Sequence, residues 1–321
     1  MSVNQQFIFH SEQYSIQEAT RKAIGIFSPK ELEKIQNSTV MIAVVGGANG
    51  PIVDILGRLA LKNIIIADID EKVEVKNLVQ QSYCVSEIGI PKAIAKMRQL
   101  QDISPNTQIV ASVVDLSIEQ NVRDLIHSSN SKINLIIEGT DNLLARTAIC
   151  KVAFERGIPL LSGGNIGNSY FVKYYDNISC HYGQTWQYID AIYPNQTLWS
   201  GSFSDLSDPN TLKILQKEWI IFGICVAELN TDGVKQVLDN PLDWSYVAYT
   251  GYQVAAHKSA LASQLLAGKS IDKEYQVGLC YFRFMSINPR IKGEIILERI
   301  TKLREVWGDN QAIILVCQNF I

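Results

Sequence analysis

Short apolar runs alternate with segments of helical periodicity through the first half of the chain. The strand-like runs, rich in Val and Ile, are at residues 40–45, 64–67, 108–113 and 133–137. The helical patterns between them are at residues 52–61, 91–100 and 118–128. Strands that alternate with helices are typical of a parallel sheet covered by helices on both faces. The pattern therefore predicts an α/β fold with a doubly wound sheet.

The flanking segments extend this pattern. Residues 14–37 are predicted to be helical, and Ser28, Pro29 and Glu31 supply an N-cap, a proline at the first helical position and an acid in the first turn. Farther along, the pattern predicts a helix, a short strand, a loop and another strand, at residues 143–156, 160–161, 162–167 and 170–175.

The second half of the chain has a different character after Asn177. It holds all five tryptophans, which are Trp186, Trp199, Trp219, Trp244 and Trp307. Loop-like stretches such as residues 201–210 separate the apolar segments there. A helix rich in small residues is predicted at 250–267 and ends at Gly268. Its Ala and Ser content permits close packing, either within the fold or across a dimer interface.

A glycine-rich turn follows the first strand-like run. It contains Gly46, Gly47 and Gly50, and Asp68 ends the next apolar run about twenty residues later. This arrangement binds nucleotides in many proteins, because helix N-terminal N–H groups face the phosphates and the carboxylate accepts from the ribose. The glycine spacing is not G-x-G-x-x-G, so a tight turn without a ligand is the alternative.

Composition excludes several classes of function. The chain has 321 residues, 47% of them hydrophobic, with a net charge of −3 and a pI near 5.9. No broad basic surface is implied, so we expect no nucleic-acid binding. We also expect no signal peptide and no membrane span. The six cysteines include no C-x-x-C pair, which argues against zinc and against a disulfide framework and favours a reduced, cytoplasmic protein.

Four short motifs occur in a specific order. They are D-I-D at 68–70, N-L-V-Q-Q at 77–81, G-I-P-K at 89–92, and E-G-T-D-N at 138–142 with Arg146 a turn later. This order resembles the ThiF/MoeB/E1 family, the ATP-dependent activating enzymes of ubiquitin-like proteins and related peptides. The resemblance covers residues 17–175 and, more faintly, residues 250–268.

The resemblance implies an adenylation reaction. In that family a substrate carboxylate attacks the α-phosphate of ATP, and pyrophosphate leaves, so the developing negative charge must be balanced by cations. It implies that Asp68 holds the ribose, Lys92 the phosphates and Asp141 a Mg²⁺ ion. It also implies that Arg21 reaches the ATP of a partner subunit. The rest of the implied nucleotide site is Gly46, Gly47, Gly50, Asp70, Asn77, Gln80 and Gln81.

Each of these residues also has a structural alternative. Lys92 could be a solvated lysine on an exposed first turn, and Asp141 could only cap the helix that follows it. Arg21 could be an ordinary surface arginine, and Asp70 could be a turn residue.

Two departures from the family pattern bear on activity. Gln80 stands where the family has an arginine, and a well-placed arginine in phosphoryl transfer contributes roughly 10³–10⁵ in rate. In the altered glycine loop, Pro51 removes a backbone N–H that could have met a phosphate. Cys180, next to His181, is the best-placed candidate for a catalytic cysteine, with an ordinary cysteine as the alternative.

These observations predict three regions and leave three functions open. The regions are an N-terminal helical arm (1–39), an ATP-binding Rossmann-like core (40–177) and a substrate and dimerisation region (178–321). The first function is a homodimeric enzyme that uses Mg-ATP to adenylate a carboxylate of a small protein or peptide. The second is a degenerate ThiF-like partner that binds a peptide or an active homologue without catalysis. The third is a nicotinamide-dependent oxidoreductase, in which Asp68 would bind a dinucleotide ribose.

Overall fold

The computed structural model describes residues 14–129, 131–166, 169–176, 236, 248–271 and 276–279. The described helices are α1 Ile16–Thr20, α2 Pro29–Gln36, α3 Gly50–Gly57, α4 Asn77–Gln80, α5 Lys92–Ile103, α6 Glu119–His127, α7 Leu143–Glu155 and α8 Ala248–Leu266. The described strands are β1 Thr39–Ala43, β2 Asn63–Asp68, β3 Gln108–Val113, β4 Leu135–Glu138, β5 Leu160–Ile166, β6 Ser169–Tyr175 and β7 Gln276–Leu279. None of the described helices is both long enough and apolar enough to span a bilayer.

These strands form one sheet in the order β3-β2-β1-β4-β5-β6-β7. The strands from β3 to β5 are parallel, whereas β6 and β7 are antiparallel additions. The strand order reverses between β1 and β4, which is the topological switch point where doubly wound sheets bind their ligands. The predicted α/β, Rossmann-like fold is confirmed, and the tryptophan-rich segments lie outside the described residues.

Two apolar layers hold the sheet. Every residue of β1 and β2 is buried, which explains their unbroken apolar sequence. Side chains alternate between the faces: Val40 and Ile42 pack with α2, α3, α5 and α8, whereas Met41 and Ala43 pack with α6 and α7. Helices therefore cover both faces of the central strands as far as their carboxyl ends.

Two local predictions were wrong. The helix predicted at 14–37 is interrupted, because Gly25 adopts a φ of +108° and Ser28 starts a new helix with a complete capping box to Glu31. The loop predicted at 162–167 is instead strand through Ile166, because β5 pairs with β6 along its full length. The helix predicted at 250–267 is confirmed as α8, one to two residues displaced.

A buried lysine ties α5 to the segment after α4. The Nζ of Lys96 donates to the Ser82 hydroxyl and to Gln99 Oε1, both at 2.6 Å, and it lies 4.7 Å from the Tyr83 ring centre. Only 1% of Lys96 is exposed, and this burial lowers its pKa to about 8.

We predict that Lys96 makes stability rise with pH in the alkaline range. The folded protein releases this proton near pH 8, whereas the unfolded chain holds it to about its usual 10.5. Between these values the unfolded state binds more protons, so the contribution of Lys96 to the free energy of unfolding grows by roughly 3 kcal/mol. In denaturant unfolding at pH 7–10, the free energy of unfolding of wild type should rise relative to that of Lys96→Met as the pH increases. The exposed Lys62→Met serves as control, and a constant Lys96→Met deficit would contradict the prediction.

Candidate functional site

A cavity of about 300 Å³ opens at the carboxyl ends of the parallel strands. Its walls come from the loop after β1, the ends of β2, β4 and β5, the segment after β3, and the first turns of α5 and α7. The volume is at the lower end of the range for small-molecule sites. The position is the one expected for a nucleotide in a doubly wound sheet.

The loop after β1 is held in place by backbone hydrogen bonds. The amide of Val44, at a φ of +65°, donates to the carbonyl of Ala67 at 2.7 Å. The amide of Val45 donates to Asp68 Oδ2 at 2.8 Å, and the amide of Gly50 donates to the Gly46 carbonyl at 2.7 Å. Gly46 and Gly47 line the cavity without side chains, so a ligand can approach the backbone closely.

Asp68 connects this loop to the end of β2. It is 1% exposed, and its second carboxylate oxygen accepts from the amide of Asp70 at 2.9 Å. Burial raises the pKa of Asp68, while these two amides and Lys92 act in the opposite direction. Each carboxylate oxygen keeps acceptor capacity at the cavity wall, which suits a sugar hydroxyl.

Lys92 and Asp70 form an ion pair at the cavity wall. The side chain of Lys92 is only 8% exposed, so the alternative of a solvated lysine is wrong. Asp70 is about half exposed and contacts Lys92, so it is more than a turn residue. Among the described residues Lys92 forms its ion pair with this partly exposed carboxylate, and it also lies close enough to Asp68 to act on its charge. An anionic ligand that enters the cavity can therefore compete with Asp70 for this cation.

The opposite wall is built around Glu138, which is fully buried. Its carboxylate accepts from the amide of Thr140 at 3.1 Å and from the Ser162 hydroxyl, and it lies 3.4 Å from Arg146 Nε. Arg146 also donates to the Thr140 carbonyl at 2.6 Å. This network shapes the segment that presents Asp141 to the cavity.

Asp141 and Asn142 have separate roles in this segment. Asn142 is the N-cap of α7, and its side chain accepts from the amides of Leu144 and Ala145 at 2.9 and 3.1 Å. The alternative that Asp141 caps this helix is therefore wrong, and its exposed carboxylate lines the cavity. A solvent-facing carboxylate at a cavity wall fits Mg²⁺, which takes one or two carboxylates together with substrate phosphates.

The structure brings together most of the residues expected from the sequence. Seven of them line the cavity: Gly46, Gly47, Asp68, Asp70, Gln81, Lys92 and Asp141. The lining formed by the described residues does not include Gly50, Asn77 or Gln80. Asn77 Oδ1 instead accepts from the amide of Glu74 at 2.8 Å and so orders the start of α4.

Arg21 lies outside the cavity lining, and Cys180 is not among the described residues. Arg21 is exposed and forms an ion pair with Glu18 at 3.2 Å, so any contact with a partner subunit's nucleotide stays a prediction. Cys180 lies outside the described residues, so its role also stays a prediction.

Sequence reasoning missed part of the lining. Asp115 follows β3 at the same edge of the sheet, a position that the strand pattern could have indicated. The pattern predicts Asn165 in a loop, yet it lies in β5, one residue before the end of the strand, beside the cavity. Its Nδ2 is buried, and within the described structure it has no hydrogen-bond partner. Such a donor at a cavity wall is available to a ligand acceptor.

Helix α8 packs directly on the glycine-rich loop. A Cβ on Gly251 would lie 2.7 Å from the carbonyl oxygen of Gly47, which is closer than van der Waals contact permits. Absence of a side chain at position 251 therefore allows the helix and the loop to touch through their backbones.

The switch-point cavity of a doubly wound sheet defines a Rossmann-like α/β protein. The model of the ThiF family matches residues 19–217, so this chain belongs to the ThiF family. A sulfur carrier protein adenylyltransferase of Thermus thermophilus is 26% identical over 136 residues, 42% of this chain and 48% of the relative. The ThiS adenylyltransferase of Bacillus subtilis is 29% identical over 143 residues, 44% of this chain and 41% of the relative. The match thus spans about half or less of these relatives.

Solved structures agree with this fold over more of the chain. PaaA superimposes with a TM-score of 0.55 at 16% identity and covers 86% of this chain and 88% of its own. Escherichia coli MccB with MccA-N7isoASN gives 0.56 at 12% identity, covering 85% of this chain and 74% of its own. At these identities the comparison establishes the fold.

We predict that Gly251→Ala destabilises the protein. In a helix without close neighbours this change stabilises by about 0.5–1 kcal/mol. Here the methyl group would meet the Gly47 backbone, and overpacking of this kind costs about 1–3 kcal/mol. Denaturant unfolding should therefore show a lower free energy of unfolding than wild type. Ala260→Gly, at an exposed position of the same helix, measures the propensity term alone, and a more stable Gly251→Ala variant would contradict the contact.

Proposed function

We propose that this protein binds Mg-ATP in the cavity and adenylates a carboxylate of a small protein or peptide, with release of pyrophosphate. The main support for this proposal is that the buried Lys92 lines the same cavity as the glycine-rich loop and Asp141. The adenylyltransferases among its relatives support the same reaction.

Each wall of the cavity suits one part of the nucleotide. Asp68 would accept from the ribose hydroxyls, and the backbone of Gly46 and Gly47 would approach the phosphates. Lys92 would release Asp70 and neutralise phosphate charge, while Asp141 would hold Mg²⁺. Mg²⁺, when bound, supplies positive charge to the phosphate oxygens as pyrophosphate leaves.

The nature of the substrate is proposed from relatives and neighbours. The Bacillus subtilis relative is named for the sulfur carrier protein ThiS, and solved structures of Escherichia coli MccB contain MccA. A small protein or a peptide that presents a carboxylate is therefore the proposed substrate, and a homodimer in which Arg21 reaches the partner's nucleotide is the proposed assembly.

A second function follows from the departures at the phosphate end. Gln80 carries no charge, and Pro51 lies in the first turn of α3, where it supplies no N–H. These features favour a protein that binds a peptide or an active homologue without turnover. ATP turnover to AMP and pyrophosphate supports the first function, whereas peptide binding without turnover supports the second.

We predict that Lys92→Ala and Asp141→Asn separate two parts of nucleotide binding. In calorimetric titrations, wild type should bind Mg-ATP with micromolar affinity, and Lys92→Ala should bind at least tenfold more weakly because phosphate charge is left unbalanced. Asp141→Asn should bind ATP without Mg²⁺ as wild type does, but should gain less affinity when Mg²⁺ is added.

Lys62→Ala and Asp102→Asn are the matched controls, because both side chains are exposed and lie outside the cavity lining. NADH is the ligand control for the oxidoreductase hypothesis. Wild-type affinity in Lys92→Ala would refute the phosphate role of that residue. A folded wild type that binds no ATP would favour the degenerate partner.

We predict that Gln80→Arg increases ATP affinity several-fold. Gln80 ends α4 next to the cavity-lining Gln81, so a longer cationic side chain has a short distance to bridge. The neutral, unbranched Gln80→Met tests whether a change other than added charge alters the affinity. Unchanged affinity in Gln80→Arg would mean that another cation, such as Lys92, already supplies the required charge.

A further inference from the structure

A further buried lysine, besides Lys92 and Lys96, lies next to the segments that form the cavity. Lys258, on α8, is fully buried and comes from the far end of the described sequence. Its Nζ donates to Asn49 Oδ1 at 2.8 Å, to the Glu138 carbonyl at 2.6 Å and to the Gly163 carbonyl at 2.7 Å. An ammonium group has three N–H donors, and here each has one acceptor.

Each acceptor belongs to a different wall of the cavity. Asn49 ends the glycine-rich loop, and its Nδ2 donates to the Ala43 carbonyl at 2.9 Å. Glu138 is the last residue of β4, directly before the lining residues Gly139 and Thr140. Gly163 directly precedes the lining residues Gly164 and Asn165. A single side chain therefore connects three segments that are separated by 95–209 residues from it in sequence.

Packing alone does not require a lysine at position 258. Its three partners are neutral oxygens, and the nearby carboxylate of Glu138 is already bonded by Thr140 and Ser162. A buried charge is costly, and an apolar residue of similar size fills core space at lower cost. Burial lowers the pKa of Lys258 to about 7, opposed by the charge of Glu138 and assisted by that of Arg146. What the lysine supplies in its protonated form is three directed donors at one point.

We propose that Lys258 is a positioning residue that holds the glycine-rich loop against the ends of β4 and β5 and so preorganises the nucleotide cavity. For nucleotide affinity this inference rests on the proposed function, but the effect on loop order does not. Loss of the ammonium leaves Asn49 Oδ1 and two buried carbonyls without this donor.

The experiment compares Lys258→Met with Leu266→Ala in the full-length chain. Leu266 is buried on the same helix two turns away and does not line the cavity, so its truncation destabilises α8 without touching the three acceptors. Amide hydrogen exchange of residues 46–50 is measured without nucleotide, and ATP affinity is measured by calorimetry. Both variants are compared at equal distance below their own melting temperatures.

The expected result is at least tenfold faster exchange of residues 46–50 and at least tenfold weaker ATP binding in Lys258→Met. Leu266→Ala should stay within about twofold of wild type in both. Equal effects in the two variants would overturn the proposal and reduce Lys258 to a packing role. If wild type binds no ATP, the proposed function fails, while faster loop exchange in Lys258→Met alone still supports positioning.

Asn49→Ala provides a second route should Lys258→Met fold poorly. It removes the acceptor on the loop while leaving Lys258 its two carbonyls. Asn49→Ala also removes the Nδ2 bond to the Ala43 carbonyl. The proposal expects Asn49→Ala to show the faster loop exchange, and expects Lys258→Met to add little further to it, because the connection between Lys258 and the loop is already broken. Wild-type exchange in Asn49→Ala would overturn the proposal.

Discussion

The structure depends on satisfying polar groups that are buried where the central parallel strands end. The carbonyls of Glu138 and Gly163 and the side chain of Asn49 lie away from water and must be paired within the protein. Lys258 supplies a donor to all three at once. The loop after β1 and the segment after β4 can therefore face each other across the cavity.

Charge is divided in the same region. Lys258 and Arg146 are committed to internal oxygens, whereas Lys92 meets the cavity with one partly exposed partner. The buried cations shape the walls, and the cavity cation remains exchangeable. This division is the reason that Lys92, and not Lys258 or Arg146, is the cation proposed to meet the phosphates.

The geometry of the cavity is compatible with membership of the ThiF family and also with the departures of this chain from the family pattern. The glycine-rich loop, Asp68, Lys92 and Asp141 surround one cavity, although Gln80 replaces a family arginine outside its lining. In the proposed reaction, neutralisation of phosphate charge would then depend on Lys92 and on cations from other segments. Retention of several site residues together supports an enzyme, and the neutral Gln80 is the feature that favours a partner protein.

From local periodicity and short spacing, the sequence predicts the alternating strands and helices and the glycine turn, and it shows the order of acidic and basic motifs. It also indicated α8, yet could not place Lys258 at the cavity, because that contact joins residues 209 positions apart. The sequence predicted a loop at residues 162–167, whereas residues 162–166 belong to β5 because they pair with β6. Likewise, exposure or burial of Lys92 and the choice of Asn142 as the helix cap were decided by tertiary packing.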